Sequence, residues 1–242
     1  ADLKTFSALK IYGMSVITAV TAQNTKEVIG IENISPEIVG KQIEAVLSDI
    51  RVDAVKIGMV SQVTIIKTIV SKLKKFEIEK IVLDPVMISE SGHHLLNPNA
   101  RDALIEDLMP LALIVTPNLF EAGEIIDKKI KTVQAMKLAA EIIYKKCLST
   151  VLIKGGHLKG KAVDIFYDGS NYYEYKRPKI DSKNTHGTGC TFSSAITSFL
   201  ALDYKLPQAI KKAKKYINGV IKNSMDIGFG NGPTHHFYRF YN

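Results

Sequence analysis

With 242 residues, 46% hydrophobic and 23% charged, the chain has the balance of an ordinary globule and the length for one large α/β domain with a good-sized core. It has no apolar run long enough to cross a bilayer, and its two cysteines, Cys147 and Cys190, exclude a disulfide scaffold and suit a reducing cytoplasm. The net charge of +8 is mostly lysine on helix faces, as in Lys211-Lys212-Ala213-Lys214-Lys215 between apolar Ile210, Ile217 and Val220. This solvated-face pattern argues against a nucleic-acid surface, which interleaves aromatics and arginine.

Ala1-Asp2-Leu3-Lys4 opens as an amphipathic helix. Residues 16–22 predict a strand. Ser35-Pro36 supplies an N-cap and a proline at the first helical position, and Ile38, Val39, Ile43, Val46, Leu47 and Ile50 follow helical spacing. A strand is expected over 54–59, a helix over 62–75, and a strand over 80–86. A second Asn-Pro start at Asn97-Pro98 opens a helix to about Leu108. Residues 111–118 read as a buried strand, 132–146 as a helix and 151–156 as a strand. Two short β-rich runs flank Asp168-Gly169-Ser170-Asn171, a hairpin signal. Helices over about 188–202 and 207–225 follow. Near-continuous apolar strands alternating with helices predict a parallel sheet covered on both faces. Ligands bind such sheets beyond the C-terminal strand ends, where Gln23, Asn24, Met59, Asp84, Asn118, Glu121 and Lys154 should converge.

The richest segment is Asn184-Thr185-His186-Gly187-Thr188-Gly189-Cys190-Thr191. Glycines at a helix start let the backbone approach a ligand. The unpaired N–H groups and positive dipole end there form an anion site. Cys190 lies in the first turn, where a thiolate is stabilised. An anion hole beside a proton acceptor meets two needs of phosphoryl transfer. Asp84 and Glu121 at strand ends suit Mg²⁺, a cation that takes oxygen ligands, although an acid in a helix first turn also serves the dipole. Lys154 in Lys154-Gly155-Gly156 suits either a phosphate counter-charge or a solvated position.

Several segments in order resemble the ribokinase-like kinases, specifically the hydroxymethylpyrimidine and hydroxymethylpyrimidine-phosphate kinases of thiamine biosynthesis. They are Tyr12-Gly13-Met14-Ser15, Thr21-Ala22-Gln23-Asn24-Thr25, Lys56-Ile57-Gly58-Met59, Leu83-Asp84-Pro85-Val86-Met87, Thr116-Pro117-Asn118-Leu119, Lys154-Gly155-Gly156-His157 and the 184–190 turn, followed by Gly230-Asn231-Gly232-Pro233. The resemblance implies a three-layer α/β/α ribokinase-like sandwich with a mostly parallel central sheet, formed by residues 1–242 as a single kinase domain. It implies ATP- and Mg²⁺-dependent phosphorylation of a primary hydroxyl and a homodimer, while composition and charge pattern give a cytoplasmic setting with no membrane or nucleic-acid partner. By the same resemblance Gln23 pairs with the aminopyrimidine, and Asp2 and Met59 line its pocket. Gly187, Thr188 and Gly189 shape the anion hole, and Cys190 is the base, with a pKa lowered by the helix N-terminus. Lys154, Thr185 and Asn118 face ATP, while Asp84 and Glu121 organise Mg²⁺. The family carries a strand and Gly-rich loop of roughly twenty residues upstream of the position of Ala1, so this chain is expected to lack that part.

Two other readings stand beside this one. A pyridoxal or pyridoxine kinase shares the fold and chemistry, and the pyrimidine is preferred because the Gln23 amide both donates and accepts. A non-catalytic nucleotide or vitamin-precursor binding protein has no use for a base at Cys190.

Overall fold

The computed structural model describes residues 1–87, 96–156, 158 and 162–241; His157 of the Lys154-Gly155-Gly156-His157 segment lies outside them. A short helix α1 (Asp2–Ala8) leads into β1 (Ala19–Gln23) and β2 (Val28–Asn33), then α2 (Pro36–Leu47), β3 (Val55–Ile57), α3 (Val63–Lys75) and β4 (Ile81–Leu83). There follow α4 (Pro98–Ala103), β5 (Ile114–Val115), α5 (Leu119–Ile126), α6 (Val133–Cys147) and β6 (Thr150–Ile153). The chain continues through β7 (Ala162–Tyr167), β8 (Tyr172–Arg177), α7 (Thr188–Ala201) and α8 (Leu206–Lys222).

The main sheet runs β3-β4-β5-β6-β7-β8. Its first four strands are parallel, and β7 and β8 return antiparallel as the expected hairpin. The mostly parallel sandwich read from the sequence is therefore present. Strand side chains alternate between faces, and the two cores show it. Ile81, Leu83, Val115, Val151 and Ile153 pack with α2, α3, α5 and α6. Val82, Ile114 and Leu152 face the other way, onto Phe192, Ile196 and Leu200 of α7 and Ile210, Tyr216 and Ile217 of α8. Each central strand is thus apolar on both faces, which is why it reads as a continuous hydrophobic run.

Three expectations change. The 16–22 strand is not part of the main sheet. Residues 19–23 pair antiparallel with β2, which was not anticipated, in a separate two-stranded sheet from Ala19↔Asn33 to Gln23↔Val28. Val20, Ala22, Gly30 and Glu32 form an exposed face, while Thr21, Ile31 and Val28 are half-buried or buried on the other. The expected strand 111–118 is reduced to Ile114 and Val115, because Met109–Leu111 form a 3₁₀ turn containing Pro110 and Pro117 cannot donate to a ladder. The helix from Asn97-Pro98 passes into a π turn over Leu104–Leu108, burying Leu104, Ile105 and Leu108. Helix α5 is a short element with no long apolar period of its own. Its signal was a capping box, Asn118 followed three residues later by Glu121.

Candidate active site

The C-terminal ends of β3 to β6 form a polar edge aligned by backbone bonds that extend the ladders. Asp84 N donates to Ile57 O (2.9 Å), Thr116 N to Leu83 O (2.9 Å) and Lys154 N to Pro117 O (2.8 Å). Lys154, just past β6, also bridges to Asn118 just past β5. The alternation of each strand then aims Asp84 and Lys154 at one point. Lys154 Nζ lies 2.5 Å from Asp84 Oδ1. Thr116 Oγ1 donates to the same oxygen at 3.1 Å, and Ser193 Oγ of α7 donates to Oδ2 at 3.2 Å.

Helix α7 starts directly over this pair. Gly187 is its N-cap at φ +81°, ψ 9°, a left-handed conformation that favours glycine, and no side chain caps the helix start. The first-turn N–H groups of Gly189 and Cys190 are thereby left for an anion. A Cβ added at Gly189 would sit 3.4 Å from Lys154 Nζ and 3.9 Å from Asp84 Oδ2, so the glycine keeps open the space between helix start and ion pair. The turn is braced by the C-terminal segment: His186 N donates to Gly232 O (3.1 Å), and Gly232 N donates to Asn184 Oδ1 (3.1 Å). Thr185 accepts from Thr188 N through its carbonyl at 3.1 Å.

A second ion pair lies beside the first, against α7. Lys56 of β3, its side chain only 4% exposed, places Nζ 2.8 Å from Asp2 Oδ2, and Asp2 Oδ1 accepts from Ser194 Oγ at 2.7 Å. Asp2 is the acid in the first turn of α1. Met59 follows β3 half-buried, and its carbonyl accepts from Thr18 Oγ1 at 3.0 Å. The structure therefore brings together Asp2, Asp84, Lys154, Gly187, Thr188, Gly189 and Cys190. Gln23 lies exposed at the end of β1, on the two-stranded sheet. Asn118 and Glu121 satisfy one another: Glu121 N donates to Asn118 Oδ1 (2.9 Å), and Asn118 N to Glu121 Oε2 (2.7 Å). The helix-cap role of both is thus realised. Lys56, Thr116, Ser193 and Ser194 were missed as site residues. A lysine inside an otherwise apolar strand was the signal for Lys56.

The electrostatics follow from burial. Burial opposes the charge of Asp84, but the Lys154 and Lys56 ammoniums outweigh it and hold its pKa below the usual carboxylate value. Burial likewise opposes the Lys154 ammonium, and Asp84 and Glu121 hold its pKa above the ordinary lysine value. Burial pushes Glu121 up to about 7, against the pull of Lys154 and with Asp84 adding to the rise. Cys190 departs from expectation. Burial pushes its thiol up, with Lys56 and Lys154 opposing and Asp84 and Asp2 reinforcing. The desolvation of a tightly packed site exceeds the effect expected of the helix end.

A family model described as phosphomethylpyrimidine kinase matches residues 1–235. A hydroxymethylpyrimidine/phosphomethylpyrimidine kinase of Rhizobium meliloti is 49% identical, the alignment covering 100% of this chain and 92% of the relative. The crystal structure of a phosphomethylpyrimidine kinase from Clostridium difficile 630 superposes with a TM-score of 0.80 at 52% identity over 90% of each chain. That of a Bacillus subtilis pyridoxal kinase in complex with ADP gives a TM-score of 0.92 at 37% identity, over 100% of this chain and 92% of the other.

Proposed function

Since this chain belongs to the phosphomethylpyrimidine kinase family, we infer that it transfers the γ-phosphoryl group of ATP to 4-amino-5-hydroxymethyl-2-methylpyrimidine and to its monophosphate, in thiamine biosynthesis. The observation that carries the reading is the uncapped start of α7 at Gly187, set over the Asp84–Lys154 pair with Cys190 in its first turn. The helix N–H groups receive the phosphate oxygens, and Lys154 offsets the charge that builds on them. Cys190 takes the hydroxyl proton. Thr185 and Asn118 border the nucleotide, while Gln23, Met59 and Asp2 read the pyrimidine.

The residues present fit Mg²⁺. Mg²⁺ needs only one or two carboxylates beside substrate phosphates, and Asp84 and Glu121 would supply them. Glu121, raised toward neutrality by burial, is an acid short of positive charge, and Asp84 is its neighbour. When bound, the ion neutralises charge on the β- and γ-phosphates. A homodimer and a cytoplasmic setting complete the proposal. Among the described residues no helix is long and apolar enough to cross a membrane.

A second reading, pyridoxal phosphorylation, draws on the pyridoxal kinase superposition. Both are tested by ATP consumption with Mg²⁺ on hydroxymethylpyrimidine, its monophosphate and pyridoxal, with Cys190→Ala as control. Turnover on both pyrimidines, lost in the control, is the expected result. Turnover on pyridoxal alone would move the function to the second reading, and binding without turnover on any of the three would leave a binding protein.

A further inference from the structure

Lys56 is buried and charged. Its side chain is 4% exposed, and that of its partner Asp2 is 39% exposed. Burying a cation costs several kcal/mol unless it is paired, and one half-exposed carboxylate is a thin compensation. The side chain curls back over its own strand end: a Cβ added at Gly58 would lie 2.5 Å from Lys56 Nζ. Gly58 therefore leaves room for the ammonium to lean toward the site.

The register of α7 says where it leans. On a helix, residues three and four positions apart share a face. Ser193, three residues after Cys190, bonds Asp84 of the Lys154 pair. Ser194, four residues after Cys190, bonds Asp2 of the Lys56 pair. Cys190 is thus placed above both pairs, with one buried ammonium on either side. The charged groups facing it are Asp2 from α1, Lys56 from β3, Asp84 from beyond β4 and Lys154 from beyond β6. Of the neighbouring charges that favour the Lys56 ammonium, Cys190 ranks ahead of Asp2 and Asp84, and of those that favour the Cys190 anion, Lys56 ranks first.

We propose that Lys56 is a positioning residue of the reaction centre: fixed by Asp2 beside the first turn of α7, its ammonium favours the Cys190 thiolate against the burial that opposes it, so that the sulfur can accept the substrate's hydroxyl proton. The sulfur takes that proton and becomes a thiol. The oxygen's electron pair forms the new bond to the γ-phosphorus, and the bond to the bridging oxygen breaks with its pair leaving on ADP. Lys154 then serves the phosphates and Lys56 serves the base. The inference rests on Cys190 being that base.

The test reads the thiol without substrate. In a Cys147→Ser background, which removes the other thiol, the rate of Cys190 alkylation by iodoacetamide is followed from about pH 7 to as alkaline as the folded chain allows, about pH 11. Lys56→Met is expected to raise the midpoint by about one pH unit or more, slowing alkylation near neutrality about tenfold. Should Lys56→Met fail to fold, Lys56→Met/Asp2→Asn removes the pair as a unit and is expected to raise the midpoint by less. An unchanged or lowered midpoint in either folded variant overturns the proposal. Turnover of Cys190→Ala is measured separately: if it persists, the base assignment fails whatever the thiol titration shows.

Discussion

Lys154 Nζ and Asp84 Oδ1 meet at 2.5 Å from strand ends 70 residues apart in the chain, with side-chain exposures of 13% and 1%. Removing one member of such a pair strands a buried charge. Lys154→Met should therefore cost about 3–5 kcal/mol of stability. Asp84→Asn/Lys154→Met should melt higher than Lys154→Met, although both lose turnover. Calorimetry of the single and double variants checks the order.

Gly189 separates folding from catalysis. A Cβ there would make ordinary contacts with Lys154 Nζ and Asp84 Oδ2, so the chain accommodates it, and alanine is the better helix former by roughly 0.5–1 kcal/mol. Gly189→Ala is expected to keep or raise Tm while cutting kcat/KM by about tenfold or more, because the methyl occupies the phosphate cradle. Steady-state kinetics beside a melt would show both.

Two adjacent glycines should respond in opposite ways. A Cβ at Gly155 would fall 1.9 Å from the carbonyl oxygen of Val163, whereas among the described residues Gly156 has open space. Gly155→Ala should lower Tm sharply or yield insoluble protein, and Gly156→Ala should fold normally. Equal melting of the two variants would contradict the packing argument.

His236 gives stability a pH dependence. Burial lowers its pKa to about 4 from the ordinary 6.5, with nearby positive charges adding to the shift. The folded chain thus binds this proton less readily than the unfolded chain. Its share of stability is complete above about pH 6.5 and is lost as pH falls toward 4. His236 Nε2 shares a hydrogen bond with Thr191 Oγ1 at 3.0 Å. His236→Gln should therefore flatten the fall of Tm between pH 6.5 and 4 relative to the parent chain.

Gln23 is exposed on β1, so its replacement should leave the core intact. Gln23→Leu is expected to raise KM for hydroxymethylpyrimidine about tenfold or more, by leaving the ring's polar groups unpaired, with Tm unchanged. An unaltered KM would remove Gln23 from the substrate pocket.

The sequence by itself determined the alternation of strands and helices, the starts of α2 at Ser35-Pro36 and α7 at Gly187, and the 168–171 hairpin. Each depends on local chemistry: side-chain period, a cap, a proline or a glycine turn. Asp84, Lys154 and Cys190 could be placed at one edge because parallel strands present their ends on the same side. Tertiary structure alone decided the rest. It moved residues 19–23 out of the main sheet, because pairing with β2 depends on a partner no periodicity names. It paired Lys154 with Asp84 and Lys56 with Asp2, because those contacts require β3, β4, β6 and α1 to converge. It also raised the Cys190 thiol above its free value, since desolvation depends on what packs around a group, and the helix turn in the sequence carried only the opposing effect.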